Sequence, residues 1–156
     1  MSQLEDIIGR VVDQLQAIDG IGNVHDRMRL AQHEGDVESQ LLIDVEGDLV
    51  LRVWYVHLGK MRSTPEGQGG TQEWVRDLVI EGWMQFEDAN GSESAVVSFA
   101  EEIIRVLWAD VQATRFGETV LFGKPASIED LVPRQFANLV CSYVRLVMPV
   151  TTIEIP

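Results

Sequence analysis

Two stretches of the chain read as strands that are apolar on both sides. In Leu49–Leu58, Leu49, Leu51, Val53 and Tyr55 alternate along one face, and Val50, Trp54, Val56 and Leu58 line the other, interrupted by Arg52. In Glu73–Phe86, Leu78, Ile80, Met84 and Phe86 share one face, while Val75, Val79 and Trp83 share the other with Asp77 and Glu81. A strand apolar on one face can leave its second face in water. A strand apolar on both needs cover on both, so it lies in the middle of a sheet or at a subunit contact. The rest of the chain has to supply that cover.

Two amphipathic helices are the evident source. Leu4, Ile7, Ile8, Val11, Val12, Leu15 and Ile18 recur at three- and four-residue spacing and predict a helix over residues 4–18. Ser2 and Glu5 form a capping box, and Gly20 suits the left-handed position that ends the helix. A second helix is expected over about 93–109, capped by Ser92 or Ser94, with Val96, Phe99, Ile103, Val106 and Leu107 on its inner face. Ile8 and Ile103 stand at the centres of the two stripes, and Glu101 and Glu102 read as a solvated face with Asp110 nearby.

The remaining segments are shorter. Residues 22–30 read as a strand. Val37, Leu41, Leu42 and Val45, following Asp36, favour a short helix over 35–46, although Leu41, Ile43 and Val45 also alternate as in a strand. Glu46-Gly47-Asp48 and Asp88-Ala-Asn-Gly91 are turn signals. Lys60–Gln72 is polar and Gly-rich and reads as a long mobile loop. Thr119–Phe122 reads as a short strand, followed by a loop with Pro125 that Pro133 closes. Arg134–Pro149 reads as a final long strand with a β-rich tail, Val150–Ile155. The expected fold is a single α+β domain over residues 1–156: an antiparallel or mixed β-sheet with two amphipathic helices packed on one face, a two-layer sandwich.

Chemistry is sparse. Twelve Lys and Arg face 25 Asp and Glu, a net charge of −13, and only Lys60 and Arg62 form a close basic pair outside the expected regular structure. Such a chain repels nucleic acid phosphate, whose binding draws on counterion release at basic patches. His25, His33 and His57 have no second His or Cys at metal-ligand spacing. The single Cys141 lies in an apolar run and reads as a buried structural thiol in a reducing compartment. Gly117–Pro125 departs from a phosphate loop in its spacing and in the Pro125 that stands where a Ser or Thr would hold magnesium. Gly67-Gln-Gly-Gly70 lacks the flanking strand and helix of a dinucleotide site. The expected catalytic, metal and cofactor-binding residues are therefore none. No signal peptide is expected from the acidic, amphipathic N-terminus, and no apolar run approaches the roughly 20 residues that span a bilayer. The Trp residues have acidic neighbours such as Glu73, Asp77 and Glu81, so they suit core packing or a protein–protein interface rather than base stacking. The candidate interface residues are Trp54, Val56, Lys60, Arg62, Trp74 and Trp83.

Four segments carry a family resemblance: Ile21-Gly-Asn-Val-His-Asp-Arg-Met28, Leu51-Arg-Val-Trp-Tyr-Val56, Arg76–Glu93 leading into a helix, and Arg134–Tyr143. Together with the order helix, strands, long loop, helix, strand, they resemble the tail terminator, or tail completion, proteins of long-tailed bacteriophages. The resemblance implies a structural virion protein of the tail or neck, assembled in the bacterial host cytoplasm. It implies a homohexameric ring at the head-proximal end of the tail that ends tube polymerisation. The implied partners are further copies of the chain, the tail tube and sheath proteins, and the head–tail connector, with no membrane. DNA would pass through the lumen without specific binding, which an acidic wall favours. Neighbouring neck components, such as a head-closure or connector-adaptor protein, and a small-molecule-binding α+β domain are the alternative readings.

Overall fold

A computed structural model describes residues 3–26, 42–45, 48–64, 72–85, 92–118, 122–136 and 139–154. The elements are α1 (Gln3–Gln16), β1 (Asn23–His25), β2 (Leu42–Val45), β3 (Asp48–Thr64), β4 (Gln72–Gln85), α2 (Ser92–Glu118), β5 (Phe122–Gly123), β6 (Ser127–Phe136) and β7 (Leu139–Glu154). The fold is α+β, with both helices packed against a mixed sheet.

Three long antiparallel strands, β3, β4 and β7, form the sheet's centre. β4 is bonded along its length to β7 on one side and to β3 on the other. The short strands divide the outer edges. β2 pairs antiparallel with Asp48–Leu51 and β1 pairs parallel with Val53–Tyr55, both along β3. β6 pairs with Leu139–Val147 and β5 with Val150–Thr151, both along β7. The two faces of β4 expected from its alternation are realised. Leu78, Ile80 and Met84 lie under the helices, and Trp83 belongs to a separate buried cluster on the opposite side.

The main core lies between this sheet face and the helices. Ile7, Val11 and Leu15 of α1 and Val96, Ala100, Ile103 and Leu107 of α2 are buried in it against Trp54, Val56, Leu78, Ile80, Val144 and Leu146. The centre of the α1 stripe is Ile7 rather than Ile8, which is half-buried. On α2, Ala100 takes the fully buried place, with Phe99 and Val106 at the margins. Trp54 lies across Gly82 of β4, where an added Cβ would come within 2.5 Å of the indole ring. Its Nε1–H donates to the carbonyl of Ile21 at 2.9 Å, so the ring fixes both β4 and the chain leaving α1. Gly20 adopts φ +75°, the left-handed conformation expected of it.

Several sequence expectations are corrected. Residues 42–45 form strand β2 rather than the end of a helix, because β3 offers them a hydrogen-bonded edge. Lys60–Thr64 and Gln72 are not loop: β3 continues to Thr64 past an irregularity between Leu58 and Met61, and β4 begins at Gln72. The mobility expected of 60–72 thus concerns only residues 65–71, which lie outside the described residues. Residues 127–133 form β6 rather than a loop, and Arg134–Phe136 complete that strand instead of beginning the last one. Pro133 is tolerated because β6 bonds only to β7, and an edge strand can spare one donor. The Ser2 cap, the turns at 46–47 and 88–91, and Phe86 lie outside the described residues.

α2 runs on to Glu118, past the expected end at 109. Val111 and Phe116 prolong its buried stripe. Regular helix gives way at Arg115, Phe116 and Gly117, which all have positive φ. Just before that turn stands Asp110, which the sequence placed on a solvated face. It accepts from Arg10 Nε at 2.7 Å, from Gln14 Nε2 at 2.6 Å and from Thr114 Oγ1 at 2.6 Å. Arg10 therefore ties α1 to the end of α2, and its hydrogen bond to Asp110 holds that carboxyl at about 2, with smaller help from Thr114 and Gln14 against the opposing effect of burial.

The sign of this shift sets an acid dependence. A carboxyl depressed from 3.8 to about 2 stabilises the fold above its unfolded value and loses that contribution as the pH falls from about 4 to 2. Because Arg10 is partly exposed, the contribution is about 1–2 kcal/mol rather than the full shift. Denaturant titrations should show Asp110→Asn less stable than wild type at pH 7 by this amount, the difference closing towards pH 2. A constant difference across that range would contradict the assignment. Gly82→Ala should cost about 1–3 kcal/mol by displacing Trp54 and should change tryptophan fluorescence. A variant of unchanged stability and emission would refute the slot.

Candidate assembly surfaces

The sheet face away from the helices carries its own cluster. Leu51, Val53, Tyr55, Trp83, Cys141 and Tyr143 are buried there, and no residue of α1 or α2 joins them. Strand register explains the grouping, since Val53, Trp83 and Tyr143 are directly opposed across β3, β4 and β7. The Trp83 ring lies 4.8 Å from that of Tyr143 and 5.5 Å from that of Tyr55, the latter edge-on. The edge-on geometry is a favourable one for an aromatic pair, and the Trp83–Tyr143 rings are tilted by 51°. The Arg134 guanidinium sits 4.4 Å over the Tyr143 ring from the β6 side. Burial raises the Cys141 thiol to about 11, which keeps it a protonated, unreactive group at neutral pH.

One row further along, the same register aligns Tyr55, Glu81 and Arg145. Glu81 is 8% exposed, and two groups hold its Oε1: Arg145 Nη1 donates at 2.7 Å and His57 Nε2 lies at 3.3 Å. The His57 hydrogen bond and the nearby Arg145 charge pull the Glu81 carboxyl below its ordinary value, against the burial that would raise it. Arg145 Nε also lies 3.2 Å from Glu129 Oε1, an ion pair without hydrogen-bond alignment. The arrangement is a cross-strand ion pair on a mostly enclosed sheet face, with its outer end at Glu129 open to solvent. The sequence showed Glu81 only as an interruption of an apolar face. Its partner lies 64 residues away, and only strand pairing reveals it.

The six candidate interface residues fall in three places. Trp54 and Val56 are fully enclosed in the helix-covered core, so their burial is accounted for within one subunit. Trp83 lies in the second cluster at 7% exposure, and Trp74 is half-buried on β4 opposite Ser63 and Thr152. Lys60 and Arg62 are exposed on the far half of β3, flanking Met61, which is 48% exposed. Arg62 Nη2 is 3.6 Å from Asp77 Oδ1, a loose exposed pair.

These two basic residues lie along an open edge. β1 and β2 occupy the outer side of β3 only as far as Tyr55, and from Val56 to Thr64 that side has no strand partner among the described residues. A row of unpaired backbone donors and acceptors is a ready site for pairing with another chain. No group of three or more His, Cys, Asp or Glu side chains that could hold a metal occurs among the described residues. No helix among them is long and apolar enough to cross a membrane.

The Glu81–Arg145 pair should behave as a unit. Arg145→Leu alone leaves the buried Glu81 carboxylate with only the longer His57 contact and should cost about 3 kcal/mol, whereas Glu81→Leu with Arg145→Leu should recover much of that loss. Urea titrations of both variants measure it. A double variant no better than the single one would show that the two side chains do not depend on each other. No protein-family model and no curated protein matches the chain.

Proposed function

We propose that this chain is a structural subunit that assembles into a ring at the head-proximal end of a long bacteriophage tail, where it ends tube growth and joins the tail to the head connector. The edge of β3 from Val56 to Thr64, which has no strand partner among the described residues and includes the exposed Lys60-Met61-Arg62, carries the reading. Closed rings are built by repeating one contact between two unlike patches, and a strand edge on one side of the subunit is a suitable patch. The acidity supports it in a second way. With a net charge of −13 per copy, a ring lumen would repel DNA phosphate and let the duplex pass without adhering. The resemblance in segments 21–28, 51–56, 76–93 and 134–143 supports a protein of the phage tail or neck.

Tube assembly tests the proposal. Tail-tube protein of the same phage, polymerised alone and with this chain added, should give tubes of indefinite length in the first case. In the second it should give short tubes capped at one end. Tubes of equal length in both, with no added density at either end, would overturn it.

A further inference from the structure

A groove of about 670 Å³ runs between α1 and β1. Its apolar surface comes from Ile8 and Val12 on the flank of α1 and Val24 of β1, and its rim carries the carboxylates of Glu5, Asp13 and Asp26. His25 is the only basic type of side chain lining it. Gly9 also lines the groove, and it is the unexpected member. It stands in the interior of α1, where glycine is a poor helix former. A Cβ built there would meet nothing within 4 Å, so packing among the described residues gives no reason for the missing side chain. The glycine makes a notch in the helix surface at which another backbone or a long side chain can approach closely.

We propose that this groove receives the Lys60-Met61-Arg62 segment of a second copy of the chain. Three observations select that occupant. The segment is basic with an exposed apolar side chain at its centre, which complements an apolar groove with an acidic rim. Its charge is loosely held: Lys60 makes no ion pair among the described residues, and Arg62 has only the distant Asp77 carboxylate at 3.6 Å. By contrast, Arg10, Arg105, Arg134 and Arg145 are each engaged with carboxylates of their own subunit. Finally, a subunit's own Lys60-Met61-Arg62 segment is unable to reach its groove. Val24 is in register with Trp54, and Met61 lies seven residues further along β3, about 23 Å of extended strand away. Contact between the end of the β3 arm and the α1 groove is therefore head-to-tail, and repeating it generates a ring or a filament.

This inference rests on the ring reading and specifies its contact. Sedimentation velocity over a concentration series at fixed salt would compare wild type, Lys60→Glu, Asp13→Lys, the combined charge exchange and Gly9→Ala. Each single reversal should weaken association about tenfold or more, and the exchange of both charges should restore it. Gly9→Ala should raise the subunit's melting temperature by about 2–4 °C while weakening association. That pairing separates a docking notch from a folding defect. Copies that associate with unchanged strength in the reversed-charge and Gly9→Ala variants would overturn this contact and leave the ring reading standing. A wild-type chain that remains monomeric at every concentration would overturn the contact as well, while the tube-capping result would still decide the ring reading separately.

Discussion

Pairing along both edges of β4 governs the molecule. With β3 on one side and β7 on the other, β4 sends every side chain above or below a continuous sheet. One side is closed by α1 and α2, which bury Leu78, Ile80 and Met84. The other holds Trp83 within an aromatic cluster and Glu81 within a cross-strand ion pair. A charged group so enclosed persists because Arg145 and His57 satisfy it, as burial of an unpaired carboxylate would otherwise force it to neutralise. The helices are fastened in turn by two long-range anchors. The Trp54 indole bonds the chain after α1 to the sheet, and Arg10 clamps α1 to Asp110 of α2.

What the sequence made legible follows from periodicity. The apolar alternation of Leu49–Leu58 and Glu73–Phe86 gave the two-sided central strands, and the stripe from Ile7 to Leu15 gave α1, because both depend only on neighbours a few residues away. What it hid depends on partners far off in the chain. Asp110 looks like one more acid on a wet helix face until Arg10 is placed beside it. Residues 42–45 lean towards helix by spacing and become strand because β3 supplies an edge. The Lys60–Thr64 segment has a loop's composition, yet Met61–Thr64 pair with Glu73–Arg76, so polarity alone does not separate this strand from a loop. A doubly apolar strand fits a subunit contact or a sheet centre, and for Trp54 and Val56 the helix layer supplies the cover.

Charge is used in two ways. Among the described residues, Arg10, Arg105, Arg134 and Arg145 are held closely by carboxylates of their own subunit, while Lys60 and Arg62 stand exposed together at the end of the β3 arm of a strongly acidic chain. A surplus of one sign keeps copies apart unless a specific contact brings unlike charges together, so the few uncommitted cations are where assembly would be controlled. Lys60 and the irregularity between Leu58 and Met61 also guard the open edge against indiscriminate strand pairing, since a charged, uneven edge is a poor template for aggregation.

The ring proposal is tested most directly by asking whether the chain occupies a place in phage particles, and where. Electron micrographs of tails assembled with a copy carrying an epitope tag, decorated with antibody, should show label confined to the head-proximal end of the tail. Label that is absent from purified virions, with the tagged chain left as free monomer in the lysate, would contradict the account.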